Sequence, residues 1–277
     1  MKILTAAISL LIIGGSMANA AEQTPEEAAL GSLDTFINAW NTGKNEELRK
    51  ALNYPFLTLF GPGNLHVAEK PAQFTTNFER MREQNHWTHS TFEDSKVHAI
   101  AEDQAHIETT YSRFNAEGER YQTGQVFYIV TKHDGQWAIQ FRSPLPSDEI
   151  DAEAEAAARA VIDEFFVAWN GANNEAMLKT MNLPHAFIVR NGRAAIAKTP
   201  ERIATDFEAM RKREDWHHSK YKDLKIIHAS PDKVLAQLTF TRHHEDDAIY
   251  ATVPVLWIIT KQNDHWGIQL RALLGAI

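Results

Sequence analysis

The chain contains no cysteine. That excludes disulfides and a lipid anchor carried on a cysteine, so a stable fold has to rest on its apolar core. Long hydrophobic runs are nearly as scarce. One stretch, Ile3 to Ile13, is apolar enough to notice, and it falls short of the roughly 20 residues that cross a bilayer core. Basic residues are outnumbered, with 28 Lys and Arg against 36 Asp and Glu. That balance argues against nucleic acid or an anionic membrane as partner, because both are held by basic surfaces.

What the first residues do have is the layout of a secretory signal peptide: Met1-Lys2, the apolar run, then Gly14-Gly15-Ser16-Met17-Ala18-Asn19-Ala20. Ala18-x-Ala20 suits cleavage before Ala21. The expectation is a periplasmic or secreted protein with no membrane attachment once the signal is gone. Removing Lys2 leaves 27 basic residues and a net charge near −9.

The stretch Trp87-Thr88-His89-Ser90-Thr91-Phe92-Glu93-Asp94 is written again as Trp216-His217-His218-Ser219-Lys220-Tyr221-Lys222-Asp223. A shift of 129 positions pairs Asp34 with Asp163 and runs without a gap to Arg142 against Arg271, about a third of the pairs being identical. That exceeds the ~20–50 residues of a solenoid period and marks a whole domain copied in tandem. The expected division is a signal peptide at 1–20, a first domain at 21–145 and a second at 150–277. Ser143-Pro144-Leu145-Pro146-Ser147-Asp148 reads as a short linker stiffened by its prolines, which should hold the domains close.

Within each copy, Thr24-Pro25-Glu26-Glu27 forms a capping box ahead of a helix whose Leu30, Leu33, Ile37 and Trp40 share a stripe, repeated as Ile162, Phe165, Phe166 and Trp169. A shorter helix follows Asn45 or Asn174 and is expected to stop at Asn53-Tyr54-Pro55 or Asn182-Leu183-Pro184. A strand at Phe56 to Phe60, or Ala186 to Val189, precedes a third helix. That helix is expected to place Phe74, Phe78 and Met81, or Ile203, Phe207 and Met210, on one face. From Trp87 and Trp216 onward the apolar period becomes 2. Val126 to Val130 and Val255 to Ile259 read as central strands buried on both faces, and Asp134-Gly135 as a hairpin turn. Helices first and a curved antiparallel sheet afterwards is an α+β layout, the sheet wrapping the first helix.

With that element order, Phe36-x-x-x-Trp40-Asn41 and the closing strand Trp137-x-Ile139-x-x-Arg142-Ser143, the chain resembles the nuclear transport factor 2-like superfamily, also called SnoaL-like. The resemblance covers nearly the whole mature chain, twice. It implies two tandem cone-shaped half-barrel domains, each with a cavity between sheet and helices for a small apolar molecule. The superfamily includes isomerases, cyclases, dehydratases and transport adaptors, so the fold leaves the function open.

Candidate residues are those written in both copies. His89 and His218 are the candidates for proton transfer, each two residues along a strand from a Trp. Trp40, Trp87, Trp169 and Trp216 are candidate ligand contacts or core, and Tyr121 and Tyr250 candidate donors. Arg113 and Arg242 can clamp a carboxylate, or pair with Asp34, Asp163, Asp94 or Asp223. Gln140 with Arg142, and Gln269 with Arg271, are expected on the strand face opposite Trp137 and Trp266. His86, His217, His243 and His244 show no repeated spacing, so no metal and no cofactor is expected. Three readings follow: a non-catalytic exported protein that binds a small apolar or amphipathic molecule, an isomerase, cyclase or dehydratase using the two histidines, and a tandem dimer whose pockets are vestigial.

Overall fold

A computed structural model describes residues 23–146, 149–190 and 192–274. The expected signal peptide and linker residues 147–148 lie outside them. Thr24 caps α1 (Pro25–Asn41) through the expected box with Glu27, and Asp151 caps α4 (Ala152–Asn170), its counterpart. Ala29, Leu33, Phe36 and Trp40 are buried on α1, and Ala158, Ile162, Phe165 and Phe166 on α4. Two short helices follow, α2 (Asn45–Lys50) and, in the second copy, α5 (Asn174–Lys179).

These are not stopped by proline. Strand β1 (Leu52–Leu59) already includes Asn53, Tyr54 and Pro55, as β7 (Met181–Ile188) includes Asn182, Leu183 and Pro184. The asparagine is what holds the strand there. Asn53 Nδ2 donates to Thr131 O at 2.7 Å and Thr131 Oγ1 at 3.0 Å, and Asn182 does the same to Thr260 at 2.6 and 2.9 Å.

The third helix is also shorter than its apolar spacing suggests. Pro71–Gln73 and Pro200–Arg202 form one 3₁₀ turn each, and the α-helices begin later, α3 at Phe78–Asn85 and α6 at Phe207–Glu214. Between them Asn45 clamps the Thr76 backbone from both sides, its Nδ2 donating to Thr76 O at 2.9 Å and its Oδ1 accepting from Thr76 N at 2.7 Å. Asn174 repeats the clamp on Thr205, both contacts at 2.9 Å. A backbone pinned in that way cannot contribute its groups to a helix.

The first domain's remaining strands are β2 (Leu65–Ala68), β3 (Trp87–Ile100), β4 (Gln104–Asn115), β5 (Arg120–His133) and β6 (Gln136–Leu145). The second's are β8 (Ala194–Ala197), β9 (His218–Ser230), β10 (Lys233–His243), β11 (Ile249–Gln262) and β12 (His265–Leu273). Their sheets run β2-β1-β6-β5-β4-β3 and β8-β7-β12-β11-β10-β9. They are mixed rather than antiparallel, because β1 pairs parallel with β6 and β7 with β12. Neither sheet closes into a barrel. Ser143 to Leu145, expected in the linker, extend β6.

Bulges bend the sheet round the first helix. The β3–β4 register slips between Glu93 and Lys96, where Asp94 takes a left-handed φ of 49°, and Asp223 does likewise at 56°. A short polar side chain tolerates that conformation, so the repeated Asp marks a bulge rather than an ion-pair partner.

A second slip falls at Gln140, where Ile129 pairs with Phe141 and Val130 with Ile139, and it recurs at Gln269. One extra residue inverts the alternation. Gln140 therefore faces away from the helices while Arg142 shares the inner side with Trp137 and Ile139, contrary to the expected pairing of Gln140 with Arg142.

The outer faces of the two sheets meet. Leu57, Phe127, Ile129 and Phe141 of one join Ile188, Leu235, Leu256, Ile258 and Leu270 of the other in one apolar cluster. Val126, Tyr128 and Val130 point the opposite way into the first domain's own core, which is why that run is continuously apolar. The bulged glutamines cross the seam in pseudo-twofold fashion. Gln140 Nε2 donates to Gly192 O at 2.5 Å, and Gln269 Oε1 accepts from Gly63 N at 3.3 Å. Each glutamine is oriented by the same threonine that the buried asparagine holds, Thr131 at 3.1 Å and Thr260 at 2.9 Å.

Candidate functional site

Each domain carries a cavity between its first helix and the concave side of its sheet. The first, about 430 Å³, is lined by residues that include Phe36, Trp40, Phe92, Tyr111, Arg113, Tyr128 and Arg142. The second, about 250 Å³, is lined by Phe165, Trp169, Phe240, Arg242, Trp257 and Arg271 among others. Twelve positions correspond at the 129-residue offset. No carboxylate and no imidazole is among the lining residues of either cavity.

What both cavities share is a half-buried arginine on the closing strand. Arg142 Nε donates to Thr58 Oγ1 at 3.2 Å, and its guanidinium lies 5.7–5.9 Å from the rings of Phe56, Phe60 and Phe74. Arg271 Nε donates to His185 Nε2 at 3.2 Å and sits 4.4 Å from the Phe187 ring. His185 Nδ1 faces the Ile268 carbonyl at 2.8 Å, and a carbonyl only accepts, so the proton is on Nδ1 and the ring is neutral. Burial and the Arg271 charge push the His185 pKa far down, consistent with that tautomer.

Among the described residues neither Arg142 nor Arg271 has a carboxylate within 4.0 Å. Burial lowers the pKa of both, Arg271 to about 9, which leaves Arg271 charged at neutral pH. A desolvated cation is normally paired. Here its partners are a hydroxyl, a neutral imidazole and aromatic faces, and its open side is a cavity.

At the cavity mouths the two domains part company. Arg242 is ion-paired with Glu214, whose Oε2 also accepts from Tyr250 OH at 3.3 Å. Arg113 has no acid partner among the described residues: its Nη1 donates to Gln122 Oε1 at 2.8 Å, and its guanidinium lies 5.7 Å from the Trp40 ring. Asp163, one of the acids open to Arg242 as a partner, accepts instead from Tyr221 OH at 2.5 Å.

Of the candidate residues, Trp40, Arg113, Trp169 and Arg242 line cavities. Tyr121 and Tyr250 neighbour the arginines at the mouths. Trp87 and Trp216 do not line them. Each is buried under the third helix, stacked on Phe78 or packed on Phe207, with its indole N–H donated to Ser90 or Ser219 Oγ at 3.0 Å.

His89 and His218 lie outside both cavities. His89 is exposed and stacked on Phe114 at 4.7 Å, and His218 on His243 at 4.6 Å. His218, His243 and Asp247 bring potential metal-ligand atoms within 4.8 Å of one another, a grouping invisible to sequence spacing. The Asp247 carboxylate is already taken by Lys220 Nζ at 2.7 Å. Arg142 and Arg271 are the site residues that alternation hid, since strict alternation groups them with Gln140 and Gln269 and the bulge separates them.

Helices held in the hollow of a bent six-stranded sheet around an aromatic cavity define a cone-shaped α+β domain, present here twice. The sequence matches the family described as NTF2-like protein (DUF6841) at residues 26–143 and again at 152–271, and the chain belongs to that family. Similar solved structures include a cystatin-like-fold protein of unknown function from Nostoc punctiforme. It is 19% identical over 45% of this chain and 92% of its own, with a TM-score of 0.38. A Catenulispora acidiphila protein in complex with S-DNPA is 15% identical over 44% and 95%, TM-score 0.37. A ketosteroid isomerase-like protein from Erwinia carotovora atroseptica is 15% identical over 46% and 100%, TM-score 0.34. No curated protein matches. Among the described residues no helix is long and apolar enough to cross a membrane.

Proposed function

We propose that the protein is an exported small-molecule binder, each domain holding an amphipathic ligand with its aromatic or aliphatic body in the cavity and a hydrogen-bond acceptor on the cavity arginine. One observation carries the reading: Arg142 and Arg271, at equivalent places, are half-buried, have no counter-ion among the described residues, and open onto aromatic cavities. A ligand acceptor is the partner that such a guanidinium lacks. Acid–base catalysis asks for a carboxylate or imidazole aimed at the substrate. The cavity linings contain neither, which favours binding over turnover. The shared apolar seam supports the two domains acting as one pseudo-twofold body, an internal counterpart of a homodimer. Export follows the reading of residues 1–20.

The test is native mass spectrometry of the protein taken from its exported fraction, beside the Arg142→Met and Arg271→Met variants. A small-molecule adduct on the wild type that each substitution weakens supports the proposal. Bare protein that also ignores a panel of aromatic acids, amides and sterols contradicts it.

A further inference from the structure

The duplication supplies an internal comparison at the cavity mouths. In the second domain the Glu214 carboxylate, from the end of α6, lies between Arg242 on β10 and Tyr250 on β11. Both partners have counterparts in the first domain, Arg113 on β4 and Tyr121 on β5, but the position of Glu214 is taken by Asn85, which is exposed. The acid is gone while its receptors remain.

Those receptors are short of partners. Tyr121 OH is buried and makes no hydrogen bond. Trp40, only 7% exposed, has its indole N–H buried and unsatisfied too. Arg113 lies over the Trp40 ring at 5.7 Å, beside Tyr121, and bonds only to the neutral Gln122. Buried orphan donors are rare because each forfeits its hydrogen bonds with water. Two of them, beside a guanidinium whose described hydrogen-bond partner is a neutral amide, at the mouth of a 430 Å³ aromatic cavity describe a vacant acceptor site.

Resting on the binding reading above, we infer that the first domain's cavity takes an aromatic carboxylate, its anion seated between Arg113 and Tyr121 where Glu214 sits in the second domain, and that Glu214 closes the second domain to such ligands. The protein then holds one acidic ligand per chain despite having two cavities. A carboxylate suits the place because Glu214 is one: a planar, singly charged group accepting from a guanidinium and a phenol together. The larger first cavity, with no internal acid, leaves room for the ligand's ring system beneath.

The probe is 2-naphthoate against its neutral amide, titrated calorimetrically into the wild type, Asn85→Glu and Glu214→Asn. Asn85 is exposed, so its replacement leaves folding intact, which a thermal melt verifies. Expected are one site on the wild type with at least a tenfold preference for acid over amide, loss of that binding by tenfold or more in Asn85→Glu, and a second site in Glu214→Asn. Equal affinity for acid and amide, or binding untouched in Asn85→Glu, overturns the inference while leaving the cavities as binding sites. Absence of binding by acid and amide alike, in wild type and Glu214→Asn, overturns it together with the reading it rests on.

Discussion

Replacing Arg271 with Met should make the protein more stable and less able to bind. Burial pushes the Arg271 pKa down to about 9 from 12.5. At ~1.4 kcal/mol per unit, keeping the charge in the folded state costs on the order of 5 kcal/mol at neutral pH. Against that stand the ring contacts at 5.5 Å to Phe165 and 4.4 Å to Phe187, together worth about 1–2 kcal/mol. The bond to His185 also goes, and stranding its buried acceptor costs about 1–2 kcal/mol. Methionine keeps an unbranched stem against the phenyl rings.

The balance is a gain of about 1–3 kcal/mol, read as a rise in Tm of about 2–10 °C for a chain of this size. Because a cation's pKa is lowered on folding, its cost is fully present below pH 9 and relieved as pH rises from there toward 12.5. The advantage of the variant should therefore be flat between roughly pH 7 and 8 and shrink above pH 9. Urea unfolding at pH 7, 8 and 10 measures it. A variant that loses stability at pH 7 and still binds ligand would refute the reasoning and make the guanidinium a structural fixture.

Asn53→Ala and Asn182→Ala each remove a buried amide that ties its strand to the β5–β6 or β11–β12 hairpin, and each should cost about 2–4 kcal/mol in the urea midpoint. Acid should weaken the fold through His106, which burial, with His98 adding to it, holds at about 3 against an ordinary 6.5. The unfolded chain takes up that proton first, so stability is complete above pH 6.5 and falls toward pH 3. His106→Leu should flatten that part of a pH series of unfolding curves. The first domain expressed alone, residues 23–146, exposes Leu57, Phe127 and Phe141, and size-exclusion chromatography should find it self-associated. Replacing His89 with Gln should change stability by less than about 0.5 kcal/mol and leave binding unaltered, since the ring is exposed and outside the cavity.

The duplication and the order of elements were legible because they rest on periodicity and on a self-match over more than a hundred residues, while the cone around α1 came from the family resemblance. The repeated asparagines were visible, but not their work. Asn45 acts on Thr76 and Asn53 on Thr131, and local spacing carries no sign of either. The bulges at Gln140 and Gln269 defeated the alternation rule, since one inserted residue brings Arg142 and Arg271 to the same face as Trp137 and Trp266 instead of the opposite one. The Glu214–Arg242 pair was hidden for a different reason: only residues written twice were weighed, and Glu214 answers to Asn85. His89 and His218, written twice, proved to be ring-stacking groups at a strand end.

The central claim is that the cavity arginines receive a ligand in the aromatic cavities. It is tested most directly by ¹⁹F NMR of fluorinated aromatic amides, neutral acceptors, titrated with the wild type and with a chain carrying both Arg142→Met and Arg271→Met. The account predicts a shifted or broadened bound resonance with the wild type that vanishes in the double variant while its thermal melt stays cooperative. The same bound resonance in the double variant, or none with the wild type, would contradict it.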